Sequence, residues 1–118
     1  MMNTLILYYD RCGTCRKALK WMDEKGYAYE KRPIKEKNPS REELEGWWKK
    51  SGLPLKRFFN TSGAAYREMK LKDTLPQMSE DEQLDLLASD GMLVKRPILI
   101  TERGVFPGFK AEIWESLL

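Results

Sequence analysis

The sequence predicts an α/β fold in which a mixed four-stranded sheet is interrupted by an inserted helical lobe. Three observations carry the expectation. An apolar run at residues 5–9, a helical pattern and a second strand-like segment follow one another up to Pro33. Paired strand signals return only from Pro97 onward, and the stretch between, about residues 38–92, carries helix signals almost throughout. A strand–helix–strand crossover sets two strands parallel and a short connection makes an antiparallel hairpin, so the sheet holds both kinds of pairing.

Leu5, Ile6, Leu7, Tyr8 and Tyr9 form a short apolar run bounded by Asp10-Arg11-Cys12-Gly13, which reads as a buried strand. Residues 13–25 follow as a helix with Ala18, Leu19 and Met22 turned inward, Trp21 at the margin, and Gly26 as the stop. Alternating aromatic and charged residues over 27–33 predict the second strand. In the lobe, Ser40 with Glu43 and Ser79 with Glu82 are capping-box signatures, each opening a helix. The first runs through Leu44, Trp47 and Trp48 to Gly52, the second through Leu84, Leu86 and Leu87 to Gly91. Residues 54–59 predict a short helix, Asn60-Thr61-Ser62-Gly63 a turn, and residues 66–71 another helix. Residues 97–101 and 104–106, joined by Glu102-Arg103-Gly104, predict a hairpin, and residues 110–118 a terminal helix with Ile113, Trp114 and Leu117 on one face. This order is a thioredoxin-type layout. One domain is expected over residues 1–118, with the lobe as its insertion.

Composition narrows the function. Twenty-one basic and 18 acidic residues are interspersed, leaving a net charge of +3, which favours neither direct nucleic-acid binding nor a membrane surface. The apolar runs are far shorter than a membrane span and the N-terminus lacks a signal-peptide pattern, so a cytoplasmic location is expected. The chain has no histidine, which removes Cys-His pairs, Ser-His-Asp triads and histidine metal sites. Two cysteines supply only half of a structural zinc site, and no metal is expected.

Those two cysteines are the most informative residues. Cys12-Gly13-Thr14-Cys15, followed by Arg16 and Lys17, lies between the first strand and its helix. Backbone N–H groups at a helix start are unpaired and the dipole is positive there, so an anion such as a thiolate is stabilised. The thiolate is the nucleophile of thiol chemistry, which makes Cys12 the candidate nucleophile, titrating below a free thiol. Free cysteines are also often inert core residues, but Gly13 and Thr14 are small and Arg16 and Lys17 add positive charge. Cys15, one turn inward, is either a resolving thiol or a helix residue. Arg96 precedes Pro97 at the mouth of the third strand, where a thioredoxin-type fold places a cis proline beside the active cysteine. Arg96 is accordingly a candidate anion-binding residue presented to Cys12, the alternative being a basic residue in a trans turn. Arg16 is either a second anion ligand or a solvent-facing helix residue. Lys95 reads as solvated surface, as do Lys49-Lys50 and Lys56-Arg57, for which partner docking is the lesser alternative.

Taken together, the Cys12–Ala18 segment, the proline and capping box at 39–43, Phe58-Phe59-Asn60-Thr61 and Lys95-Arg96-Pro97-Ile98 resemble the ArsC family of arsenate reductases and Spx-related proteins over essentially the whole chain. The resemblance implies a thioredoxin-like fold with a helical lobe, and Cys12 as the position that attacks arsenate in reductases. It implies no bound cofactor, a small oxyanion or disulfide substrate, and a thiol reductant such as glutathione with glutaredoxin, or thioredoxin. Glutathione-coupled reductases carry a histidine where this chain has Tyr8, and three arginines on the oxyanion. Arg96 matches one; the others fall near Asn60 and in Pro107-Gly108-Phe109. They usually carry a non-cysteine residue at the place of Cys15. The CxxC spacing resembles instead the Spx-like regulators, which sense oxidants and bind RNA polymerase through the C-terminal domain of its α subunit. Gly52 lies where those regulators have a glycine important for that contact, and a helix C-cap is its simpler role.

Overall fold

Ile6 and Leu7 are neighbours in strand β1 (Leu5–Tyr8) and both are fully buried, so their sheet is covered on both faces. The computed structural model describes residues 4–118. Its sheet has the order β2-β1-β3-β4, with β2 at Glu30–Pro33, β3 at Ile98–Thr101 and β4 at Gly104–Pro107. β1 pairs parallel with β2, Tyr8 facing Pro33, and antiparallel with β3, Leu7 facing Ile98; β3 and β4 form the expected hairpin. Helix α1 (Gly13–Lys25) is the crossover between β1 and β2 and buries Cys15, Ala18 and Met22.

Two aromatic residues shorten β2 relative to the expected 27–33. The N–H of Tyr27 donates to the Met22 carbonyl and its ring packs 5.8 Å from Trp21, so Tyr27 belongs to the C-terminal wrapping of α1. The Tyr29 hydroxyl donates to Asp23 at 2.8 Å and is likewise drawn back towards the helix. Gly26, at φ 77°, gives α1 its left-handed cap, its N–H donating to the carbonyls of Met22 and Asp23.

Contacts divide the chain into two units: residues up to Lys37 together with Arg96–Leu118, and Asn38–Lys95. The second is the helical segment. Its helices α2 (Arg41–Ser51) and α5 (Glu80–Ser89) both start on complete capping boxes, Ser40 with Glu43 and Ser79 with Glu82. The two helices pack on each other, and Arg41 on α2 pairs with Asp81 and Asp85 on α5. Gly52 ends α2 at φ 69°, a left-handed C-cap that glycine adopts without steric cost. Between them lie a 3₁₀ turn at Leu55–Phe58, α3 (Ala64–Glu68) and α4 (Leu71–Thr74). The single helix expected over 66–71 is therefore broken, because Lys70 takes a left-handed conformation at φ 54°. The second lobe helix stops at Ser89 rather than reaching Gly91: Asp90 accepts from the Met92 N–H and starts a 3₁₀ turn at Gly91–Leu93. Leu44, Phe58, Phe59, Leu84, Leu87, Leu93 and Val94 fill this unit's core.

The terminal helix α6 (Ala111–Leu117) returns to the sheet unit. Trp114 is fully buried, while Ile113 and Leu117 on the expected face are half-buried. The indole N–H of Trp114 donates to the Gly108 carbonyl at 2.8 Å, and its ring meets Phe109 edge-on at 4.9 Å. Among the described residues no helix is long and apolar enough to cross a membrane.

Candidate active site

β1 runs directly into the turn that carries the thiols. Tyr9 follows the strand, its carbonyl accepts from the Cys12 N–H at 3.0 Å, and the chain enters α1 with Cys12 as N-cap. In that extended conformation the Cys12 sulfur accepts the N–H of Cys15 at 3.4 Å, as an oxygen does in an ordinary N-cap. Cys15 sits one turn in on the buried face and is fully enclosed, and the Tyr9 N–H donates to its sulfur at 3.5 Å. Both cysteines are free thiols.

Electrostatics separate the two. Burial alone pushes the Cys12 thiol up, but the Cys15 N–H, the Cys15 thiol, the Arg96 guanidinium and the Thr14 N–H outweigh it, and Cys12 titrates below the ordinary thiol value. Burial pushes Cys15 up to about 12; the Tyr9 N–H offsets part of this, and the neighbouring Cys12 adds to it. The surroundings thus favour the thiolate at Cys12 and the protonated thiol at Cys15.

Cys15 ties stability to alkaline pH. Between its unfolded value, about 8.5, and about 12, the unfolded chain has lost a proton that the folded chain still holds. Stability therefore falls as pH rises through that window, by up to about 1.4 kcal/mol per pH unit. Urea unfolding of the parent chain and of Cys15→Ala at pH 7.5, 9 and 10 should show this extra slope in the parent alone. Equal slopes would mean that Cys15 ionises as readily folded as unfolded.

The Arg96–Pro97 peptide bond is cis, and the Pro97 carbonyl accepts the Gly108 N–H at 2.7 Å. The Arg96 guanidinium lies 4.9 Å over the Tyr9 ring and is the charge that acts most on Cys12. Arg16 reaches Cys12 only through its backbone N–H, which donates to the Cys12 carbonyl at 3.1 Å, and its side chain is exposed. Thr14 is exposed too and contributes its backbone N–H. A side chain at Gly13 would meet nothing within 4 Å, so the turn does not need glycine for space. Lys95, expected as solvated surface, is half-buried.

Tyr9 is the site residue that sequence reasoning missed. The apolar run makes it a strand residue, yet its N–H holds Cys15, its carbonyl holds Cys12 and its ring carries Arg96. Its place three residues before the nucleophile, where the strand must turn into the helix, is the signal that could have found it. Tyr8 has the Lys31 ammonium 5.4 Å over its ring. Asn60 accepts from the Ser62 hydroxyl within its own turn, and Gly108 donates its N–H to Pro97 and accepts from the Trp114 indole.

A thioredoxin-like sheet with a thiol pair at the start of its first helix and a cis proline before β3 defines a thiol-site protein of the thioredoxin-fold class. The ArsC family model matches residues 7–117, and the chain belongs to that family. It is 54% identical to the uncharacterized Bacillus subtilis protein YusI, over 98% of both chains. It is 30% identical to an arsenate reductase of Rhizobium meliloti, over 87% of this chain and 72% of that protein. It is 26% identical to the regulatory protein MgsR of Bacillus subtilis, over 92% and 86%. A crystal structure of an ArsC family related protein from Bacteroides fragilis superposes with a TM-score of 0.95, at 53% identity and covering 98% of each chain.

Proposed function

We propose that this chain is a cytoplasmic thiol–disulfide oxidoreductase in which Cys12 is the nucleophile and Cys15 the resolving thiol. The observation that carries the reading is the Cys15 N–H held on the Cys12 sulfur at 3.4 Å, which keeps a thiol held below its ordinary pKa within one helical turn of a thiol held above it. The Cys12 thiolate attacks one sulfur of a disulfide substrate, forms a mixed disulfide and expels the other half as a thiolate. Cys12 then carries no negative charge, so one of the influences that kept Cys15 protonated is gone. Cys15 passes its proton to the departing thiolate and attacks the Cys12 sulfur, closing a Cys12–Cys15 disulfide and releasing the second half. The substrate gains two electrons and the pair loses two; an external thiol such as glutathione with glutaredoxin, or thioredoxin, restores them. Arg96 holds negative charge on an incoming carboxylate or oxyanion beside Cys12.

Mass spectrometry after exposure to oxidised glutathione tests this. The parent chain should end as the internal disulfide, and Cys15→Ser should accumulate a stable glutathione adduct on Cys12. Two free thiols remaining in the parent would overturn the reading. With arsenate in a glutathione–glutaredoxin assay, turnover should be weak or absent. Two of the reductases' three arginines are replaced here, and each charge-assisted hydrogen bond is worth about 1.5–3 kcal/mol. Two such losses amount to about a hundredfold or more.

The likeness to MgsR supports a second reading, in which the same disulfide is a sensor and the helical unit docks on RNA polymerase, at the C-terminal domain of its α subunit. Binding of that purified domain, changed by oxidation of the pair, would favour the regulator; turnover without such binding favours the oxidoreductase.

A further inference from the structure

The helical unit carries a cavity of about 390 Å³ lined by Pro54, Lys56, Arg57, Phe59, Thr61 and Lys95. Three of its six lining residues are cations and none is acidic. Neither Lys56 nor Lys95 makes an ion pair among the described residues. The adjoining cavity, which shares Thr61, has Asp73 in its wall and lacks that uniform sign. The placement of Lys95 depends on the backbone. Its N–H donates to the Phe58 carbonyl at 2.8 Å, and Val94 bridges to Phe59, so the strand-like end of the unit is held against the 3₁₀ turn that carries Lys56 and Arg57.

Cations gathered around one concave space repel one another, and the repulsion is relieved when an anion enters. A guanidinium and two ammonium groups present donors and no acceptor, and a hydroxyl can turn its O–H to donate as well, a set that suits the several acceptor oxygens of a phosphate. The buried Phe59 and the exposed Pro54 give the same cavity an apolar wall, and its size is that of a small-molecule site. We propose that this cavity binds a small organic phosphate, the phosphate against Lys56, Arg57 and Lys95 and its apolar body against Phe59 and Pro54. The site is independent of the Cys12 chemistry and lies wholly within Asn38–Lys95.

Backbone amide shifts of the full chain, titrated at fixed ionic strength with inorganic pyrophosphate, ADP and citrate, test the assignment. Saturable shifts at Phe59, Thr61 and Lys95 are expected with pyrophosphate and ADP, ADP binding more tightly because its base and sugar meet the apolar wall. Lys56→Gln/Lys95→Gln should weaken both by about tenfold or more while the Cys12 alkylation rate stays unchanged. Lys56→Gln alone carries the comparison should the double variant give no folded spectrum, with a loss of about threefold or more. Shifts confined to Cys12–Arg16 and Arg96, citrate binding as tightly as pyrophosphate, no saturation, or affinities unchanged in the variants would each overturn the proposal.

Discussion

Iodoacetamide should modify Cys12 at least about thirtyfold faster than Cys15 in the folded protein near neutral pH. Cys12 titrates below the ordinary thiol value and Cys15 is pushed up to about 12, so their thiolate populations differ by about three orders of magnitude. The more basic thiolate is the stronger nucleophile, and with a Brønsted coefficient of about 0.4–0.5 this returns somewhat under half of the difference on a logarithmic scale. Complete enclosure of Cys15 adds a steric barrier in the same direction. Peptide mapping by mass spectrometry against time reads both rates, and denaturant should bring them together. Arg96→Gln should move the Cys12 inflection to higher pH, because the guanidinium charge favours the thiolate. Equal rates in the native protein would remove the division of labour between the thiols.

Trp114→Ala should cost about 3–5 kcal/mol of folding free energy, a large share of the roughly 5–15 kcal/mol available to a small domain. The indole is fully buried, meets Phe109 edge-on, and approaches Trp21 at 6.4 Å and 81°. It also satisfies the buried Gly108 carbonyl, so truncation leaves both a cavity and an acceptor without its donor. Trp114→Phe keeps most of the volume and loses the N–H, and should fall between the parent and alanine. Urea unfolding followed by circular dichroism measures all three. A loss below about 1 kcal/mol for alanine would mean that the neighbouring rings close over the gap.

Local chemistry makes much of the architecture legible in advance. The two capping boxes announce α2 and α5, the Gly26 stop ends α1 where expected, and the Glu102-Arg103 connection sets the β3–β4 hairpin. Legibility fails where a side chain's partner lies outside its own segment. Tyr29 alternates like a strand residue, yet it is bonded to Asp23 on the preceding helix. Lys70 breaks its helix in a conformation that composition signals only when glycine or asparagine occupies the place. At the candidate site, Cys12 is readable because a helix start favours a thiolate by local geometry alone. The high value of Cys15 is not, since it depends on burial by residues distant in sequence, and the support of Arg96 by Tyr9 is a contact across the sheet.

The Leu7–Ile98 pairing works as a ruler for the thiol site. Side chains alternate faces along a strand, so one residue gained or lost in β3, with the β3–β4 hairpin held in place, shifts the chain before it by about 3.4 Å and turns those side chains over. Ile98 and Leu99, both fully buried, would exchange faces, and Arg96 would leave its seat over Tyr9. Descendants of this chain can therefore retune which anions meet Cys12 by exchanging the side chain at Arg96. They cannot do so by changing the length of β3, and insertions are confined to connections such as the exposed Glu102-Arg103 turn.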